Sequence, residues 1–138
     1  MCLISPDFGG VKRVKRYKSL LGCDIAVINK ERLKANQIAN MEIIGEVSGK
    51  NVIIVDDIID TAGTLCKAAE LLMESGALSV TAYCTHALLS GDARARIKES
   101  PIKKVYTANT IAGLENDDEI EVISCAGLIK NAITKLFQ

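Results

Sequence analysis

Short apolar runs recur along the chain, each closed by polar residues, and most are followed by a stretch with helical spacing. Cys2–Ile4, Asp24–Ile28, Val52–Val55, Ser79–Thr85, Lys103–Thr107 and Ile120–Ile123 are the strand-like runs. Brief β-branched runs of this kind suit strands buried on both faces. Between them lie helical stretches at Val11–Leu21, Leu65–Glu74, Gly91–Glu99 and Cys125–Phe137. The second carries Leu65, Ala68, Ala69, Leu72 and Met73 on one side, with Ser75-Gly76 as its stop. The third halts before Pro101, and the last is amphipathic. Strands alternating with helices predict an α/β fold, a parallel sheet flanked by helices on both faces. In such sheets ligands bind beyond the carboxyl ends of the strands. Asp7, Lys30, Asp56 to Thr64, His86 and Asn109 each follow a predicted strand.

The stretch Asn51-Val-Ile-Ile-Val-Asp-Asp-Ile-Ile-Asp-Thr-Ala-Gly-Thr64 carries the most chemistry. It reads as a buried strand, an acidic edge (Asp56, Asp57, Asp60), a hydroxyl-rich turn and a helix start. A helix start offers free N–H groups and a positive dipole end, which suit a phosphate. Gly63 allows close backbone approach, and Thr61 and Thr64 add hydroxyl donors. The carboxylates would repel a bare phosphate. They make sense as partners of sugar hydroxyls, or of a magnesium ion bridging to other phosphates. Two Asp after a strand serve equally well as a solvated strand end; Asp60 and the Thr-Ala-Gly-Thr turn favour the ligand site.

Composition narrows the setting. A chain of 138 residues can bury one core, so a single domain over 1–138 is expected. Acidic and basic residues balance at 17 each, which gives no field for nucleic acid or an anionic membrane. No run is long and apolar enough to span a bilayer, and the first residues lack the regions of a signal peptide. Cys2, Cys23, Cys66, Cys84 and Cys125 are scattered and odd in number. They read as buried free thiols of a reducing, cytoplasmic compartment rather than a disulfide framework or zinc site.

Several stretches resemble one family. Val55-Asp-Asp-Ile-Ile-Asp-Thr-Ala-Gly-Thr64 is similar to the phosphoribosyl diphosphate (PRPP) binding motif of the type I phosphoribosyltransferase-like (PRTase-like) fold. Phosphoribosyltransferases and ribose-phosphate diphosphokinases (PRPP synthetases) share that motif. Lys30-Glu-Arg-Leu-Lys-Ala-Asn36 resembles the flexible catalytic loop of the synthetases, which ordinary phosphoribosyltransferases lack. Ser5-Pro-Asp-Phe-Gly-Gly10, with Arg13 beyond it, resembles the start of their C-terminal domain. Thr85-His-Ala-Leu-Leu-Ser-Gly91 and Ala108-Asn-Thr110 resemble two further segments.

The resemblance implies transfer of the β,γ-diphosphoryl group of ATP to ribose 5-phosphate, giving PRPP and AMP. It implies Lys30 as the catalytic lysine and Arg32 beside it on substrate oxygens. Residues Asp60, Thr61, Ala62, Gly63 and Thr64 would hold the 5-phosphate, with Asp56 and Asp57 at the ribose hydroxyls. Asp7 would be a Mg2+ ligand. A full member of the family has two similar domains, so this chain corresponds to the C-terminal half, without the N-terminal half and its adenine-binding residues. Inorganic phosphate is a further candidate ligand, and a homo-oligomer is expected. Two other readings share the central motif: a phosphoribosyltransferase, and a non-catalytic synthetase-associated regulatory subunit. His86, the one histidine, is placed near the site by the resemblance, without a chemical role. Arg13 and Arg16 serve equally as solvated helix residues or as neighbours of an anion.

Overall fold

The computed structural model describes residues 1–31 and 40–137. Cys2–Ser5 forms β1, all four residues buried, and Val11–Leu21 forms α1. Asp24–Glu31 is β2 and Asn40–Ile44 is β3. Asn51–Val55 is β4, Ile58–Ile59 a two-residue β5, and Gly63–Glu74 the helix α2. Then come β6 (Ser79–Cys84), β7 (His86–Ala87), α3 (Ala93–Glu99), β8 (Ile102–Ala108), β9 (Ile120–Ile123) and α4 (Ala126–Leu136).

Among the described residues the main sheet runs in the order β3-β2-β1-β4-β6-β8-β9. Every neighbouring pair is parallel except β2 with β3. The parallel sheet expected from the apolar runs is therefore present, with one antiparallel edge strand added. A parallel partner would need a crossover of a dozen residues or so, and the chain between β2 and β3 is shorter than that. Gly45, at a φ of 125°, then ends β3, so the strand stops at Ile44 although Val47 further on is buried.

Side-chain alternation divides the sheet into two faces. On one, Ile4, Val52, Ile54, Val80, Ala82 and Val105 pack under Leu65, Ala68, Ala69 and Leu72 of α2 and Ile97 of α3. Burying an aliphatic side chain of this size contributes about 1.5–3 kcal/mol, so this face is the main source of stability. On the other, Leu3 and Val55 meet Val14, the one buried residue of α1, with Ile25 and Ile53 at the margin. Beyond α1 that second face is partly open, and the Tyr83 and Tyr106 rings stack there at 4.6 Å. The amphipathic α4 buries none of its residues, and Leu128, Ile133 and Leu136 are exposed.

The helix stop expected at Ser75-Gly76 is present. The amides of Ser75, Gly76 and Ala77 close onto Leu71, Met73 and Leu72 carbonyls. Gly76 adopts a φ of 87°, and a Cβ there would lie 2.9 Å from Ser48 Oγ. All five cysteines are free. No helix among the described residues is long and apolar enough to cross a membrane.

Candidate functional site

The carboxyl ends of β1, β2 and β4 open onto a common cavity of about 450 Å³. Asp7 reaches it from the loop after β1, Lys30 from β2, and Asp56 from the end of β4. Asp60, Thr61, Ala62, Gly63 and Thr64 complete its wall. Chain order separates these residues; parallel strands running the same way bring them to one edge.

The acidic segment is held in place by its backbone. β5 pairs with β7 in a separate two-stranded parallel sheet, Ile58 opposite His86 and Ile59 opposite Ala87. Asp56 N donates to Tyr83 O at 2.9 Å, and Asp57 O accepts from the amides of Thr85 and His86. Ile59 O accepts from Leu88 and Leu89, and Asp60 O from Ser90. These bonds satisfy the carbonyls on the far side of the segment and steady the side chains that line the cavity.

The turn into α2 carries a strained residue. Ala62, its N-cap, adopts φ 60° and ψ −1° and is almost wholly buried. An L-residue pays about 1–2 kcal/mol in this left-handed region. The expectation placed the backbone demand on Gly63, but Gly63 has no positive φ. A Cβ on Gly63 would meet only Arg96 Nη1, at 3.7 Å. Beyond the strain, the first amides of α2 lack partners within the helix, which makes its start an anion-binding corner.

Charge is distributed with a bias. Lys30 Nζ donates to Thr64 Oγ1 at 3.4 Å, so the cation of β2 reaches the helix start. Asp7 is fixed by the Gly10 amide, 2.9 Å from Oδ1, while Ser5 Oγ donates to the Asp7 carbonyl at 2.7 Å. Arg13 on α1 forks across the acidic pair, Nη1 3.2 Å from Asp56 Oδ1 and Nη2 2.7 Å from Asp57 Oδ2. The sequence left Arg13 undecided between solvent and anion. Its place three residues after Gly10, on the first turn of α1, was the available signal.

Asp56 and Asp57 diverge in acidity. Burial pushes the Asp56 carboxyl up, and its neighbour Asp57 adds to the rise; the Asp57 amide and Arg13 offset only part of it. Burial also pushes Asp57 up, but the hydrogen bond shared with Asp56 and the Arg13 guanidinium outweigh it and hold Asp57 below the usual range. Asp57 turns to Arg13 and is absent from the cavity wall, unlike Asp56. Arg32 lies outside the described residues.

His86 opens β7 opposite Ile58 and is absent from the cavity wall. Its Nδ1 is 2.8 Å from Thr110 Oγ1, and that hydroxyl donates its hydrogen to Thr85 O. The hydroxyl therefore accepts at Nδ1, so Nδ1 carries the ring proton and Nε2 is left as the acceptor in the neutral ring. Asn109 Oδ1 accepts from the Cys125 amide and so anchors α4 instead of facing the cavity.

The donors toward a metal are carboxylate oxygens, Asp7, Asp56 and Asp60, spread around the wall. No group of three or more His, Cys, Asp or Glu is placed to cage an ion among the described residues. Such a set fits Mg2+, which takes one or two carboxylates and completes its shell with water and phosphate oxygens.

Comparison with known proteins gives the family and the fold. Residues 26–138 match the family described as phosphoribosyl synthetase-associated domain. A ribose-phosphate pyrophosphokinase of Clostridium acetobutylicum is 45% identical over 100% of this chain and 44% of its own length. One from Aquifex aeolicus is 47% identical over 97% of this chain and 43% of its own. The chain thus spans less than half the length of these relatives. The crystal structure of phosphoribosylpyrophosphate synthetase from Mycobacterium smegmatis superposes with a TM-score of 0.88 at 36% identity, over 99% of this chain and 45% of that one. An orotate phosphoribosyltransferase from Aeropyrum pernix, at 16% identity and a TM-score of 0.61, shares the fold. The architecture is the type I phosphoribosyltransferase-like fold, and the chain belongs to the phosphoribosyl synthetase-associated domain family.

Proposed function

We propose that this chain is the sugar-phosphate half of a ribose-phosphate diphosphokinase, which makes PRPP and AMP from ATP and ribose 5-phosphate. The observation that carries the reading is the convergence of Lys30, Asp56 and the Asp60–Thr64 turn on one cavity, with Lys30 Nζ 3.4 Å from Thr64 Oγ1. The 5-phosphate lies against the start of α2, taking its free amides and the Thr61 and Thr64 hydroxyls. Asp56 accepts from ribose hydroxyls, and Asp57 supports it through their shared Arg13. Lys30, with Arg32 beyond it, neutralises the diphosphoryl group as it passes to the anomeric hydroxyl. Mg2+, when bound, neutralises phosphate charge, and Asp7 would hold it. This division suits phosphoryl-type transfer, where positioning and charge supply most of the rate.

The nucleotide comes from a further half, the part of the relatives this chain does not span. The reading includes a cytoplasmic, homo-oligomeric enzyme, with inorganic phosphate able to occupy the 5-phosphate corner. Calorimetric titration of ribose 5-phosphate into the wild-type chain and into Asp60→Ala and Thr64→Ala tests it. Saturable one-site binding that both substitutions weaken is expected. Absence of binding to wild type overturns it.

A further inference from the structure

The turn before α2 has a tether outside the cavity. Arg96, on the exposed side of α3, donates from Nη1 to the carbonyl of Thr61 at 3.0 Å. The same guanidinium lies alongside Gly63. Arg96 lines an adjoining hollow of about 620 Å³ that shares Lys30, Thr61, Gly63 and Thr64 with the inner cavity, and Arg96 itself is absent from the inner cavity's wall. Thr61 and Ala62 border the inner cavity, and Ala62 is the residue held at φ 60°.

These positions have a consequence for the peptide between Thr61 and Ala62. That peptide is trans, so its C=O and N–H point in opposite directions. With the carbonyl drawn to Arg96, the Ala62 N–H is turned away from that guanidinium, and Ala62 lines the inner cavity but not the Arg96 hollow. The Ala62 amide is used by no hydrogen bond within the described residues. An inward, unpartnered N–H beside the first amides of α2 enlarges the anion corner by one donor. Such an orientation does not come free, because the left-handed Ala62 is disfavoured, and a carbonyl acceptor bond from a charged donor offsets that strain.

We propose that Arg96 is a positioning residue for sugar-phosphate binding: it pins the Thr61 carbonyl outward and so aims the Ala62 amide at the phosphate. This rests on the sugar-phosphate reading above. Arg96 acts without touching the ligand, and its guanidinium also adds positive charge behind the corner. Lysine at this position can still donate to the carbonyl, whereas methionine keeps the length and loses the donor.

The test combines calorimetry with amide NMR on wild type, Arg96→Met, Arg96→Lys and, as a control for the site, Asp60→Ala. Arg96→Met is expected to weaken ribose 5-phosphate about fivefold, in keeping with the loss of one charge-assisted hydrogen bond at an exposed position. It also shifts the Ala62 and Gly63 amide resonances in the ligand-free protein, and Arg96→Lys returns both affinity and shifts most of the way. If Arg96→Met binds like wild type while Asp60→Ala is weakened, the Arg96 role is overturned and the sugar-phosphate reading stands. If Arg96→Met weakens binding but leaves the ligand-free Ala62 amide unmoved, the arginine contacts the ligand directly and positioning is overturned. If wild type takes no ribose 5-phosphate, both fall together.

Discussion

Arg13 and Asp57 are 44 residues apart in the chain, yet Nη2 of the first lies 2.7 Å from Oδ2 of the second. With its other nitrogen on Asp56, Arg13 keeps two adjacent carboxylates from repelling each other at the end of β4. Arg13→Met removes the only counter-charge the described residues place on that pair. The Asp57 carboxyl is then expected to titrate at higher pH than in wild type, followed by carboxyl-detected NMR. An Asp57 titration that does not move would show that the fork has no electrostatic hold on it.

The opposed shifts of the pair give a signed pH dependence. Asp56 is raised in the fold, so its contribution favours the folded state more as pH falls through that raised value. Asp57 is lowered, so its contribution is present above the ordinary carboxylate range and is lost as pH falls through its depressed value. Acidification therefore protonates Asp56 first, in favour of the fold, and Asp57 later, at a loss. Chemical denaturation across the acidic range should show the Asp57 contribution, wild type minus Asp57→Asn, intact above the ordinary carboxylate range and falling away only below it. A loss that begins nearer neutrality would contradict the assignment.

Ala62 sits where a Cβ is tolerated and a branched one is not. At φ 60° a β-branched residue is a steric outlier, and the site is nearly closed to solvent. Ala62→Val should cost roughly 2–3 kcal/mol of folding stability, within the range of stored backbone strain. Ala62→Gly should be close to neutral, because relief of strain is offset by about 1 kcal/mol of extra freedom in the unfolded chain. Urea unfolding of the two variants checks both. Equal losses would place the difficulty in packing and not in the backbone.

On the proposed reading, binding and chemistry separate in this chain. It is expected to bind ribose 5-phosphate but to release little or no AMP when mixed with ATP, ribose 5-phosphate, phosphate and magnesium. Thr64→Ala should weaken binding by about tenfold, the worth of a hydrogen bond to a charged group, and Asp60→Ala should weaken it as well. A coupled assay for AMP, run beside the calorimetry, gives the answer. Turnover at ordinary enzyme rates would mean that the nucleotide site is already complete here.

Much of the cavity's lining could be read before folding was considered. Asp7, Lys30, Asp56 and the 60–64 turn each follow an apolar run, and parallel strands place all such positions on one edge. The β5–β7 pair could not be read, because two residues are too few to show a period. Nor could the left-handed turn at Ala62, since the neighbouring Gly63 is the residue propensity would choose. Arg13 had two equal readings because its partners lie on another element.

Local patterning alone determined the order of the parallel strands of the main sheet and of the helices, the fold class and the acidic turn at the end of β4. These depend on periodicity and on the direction the chain runs, which are properties of neighbours in sequence. Tertiary packing decided the antiparallel edge of β2 and β3, the fork of Arg13, the outward tether of Thr61 and the unburied face of α4. Each is a choice of partner across space. Such choices follow from which surfaces meet once the sheet has formed, and no window along the chain contains them.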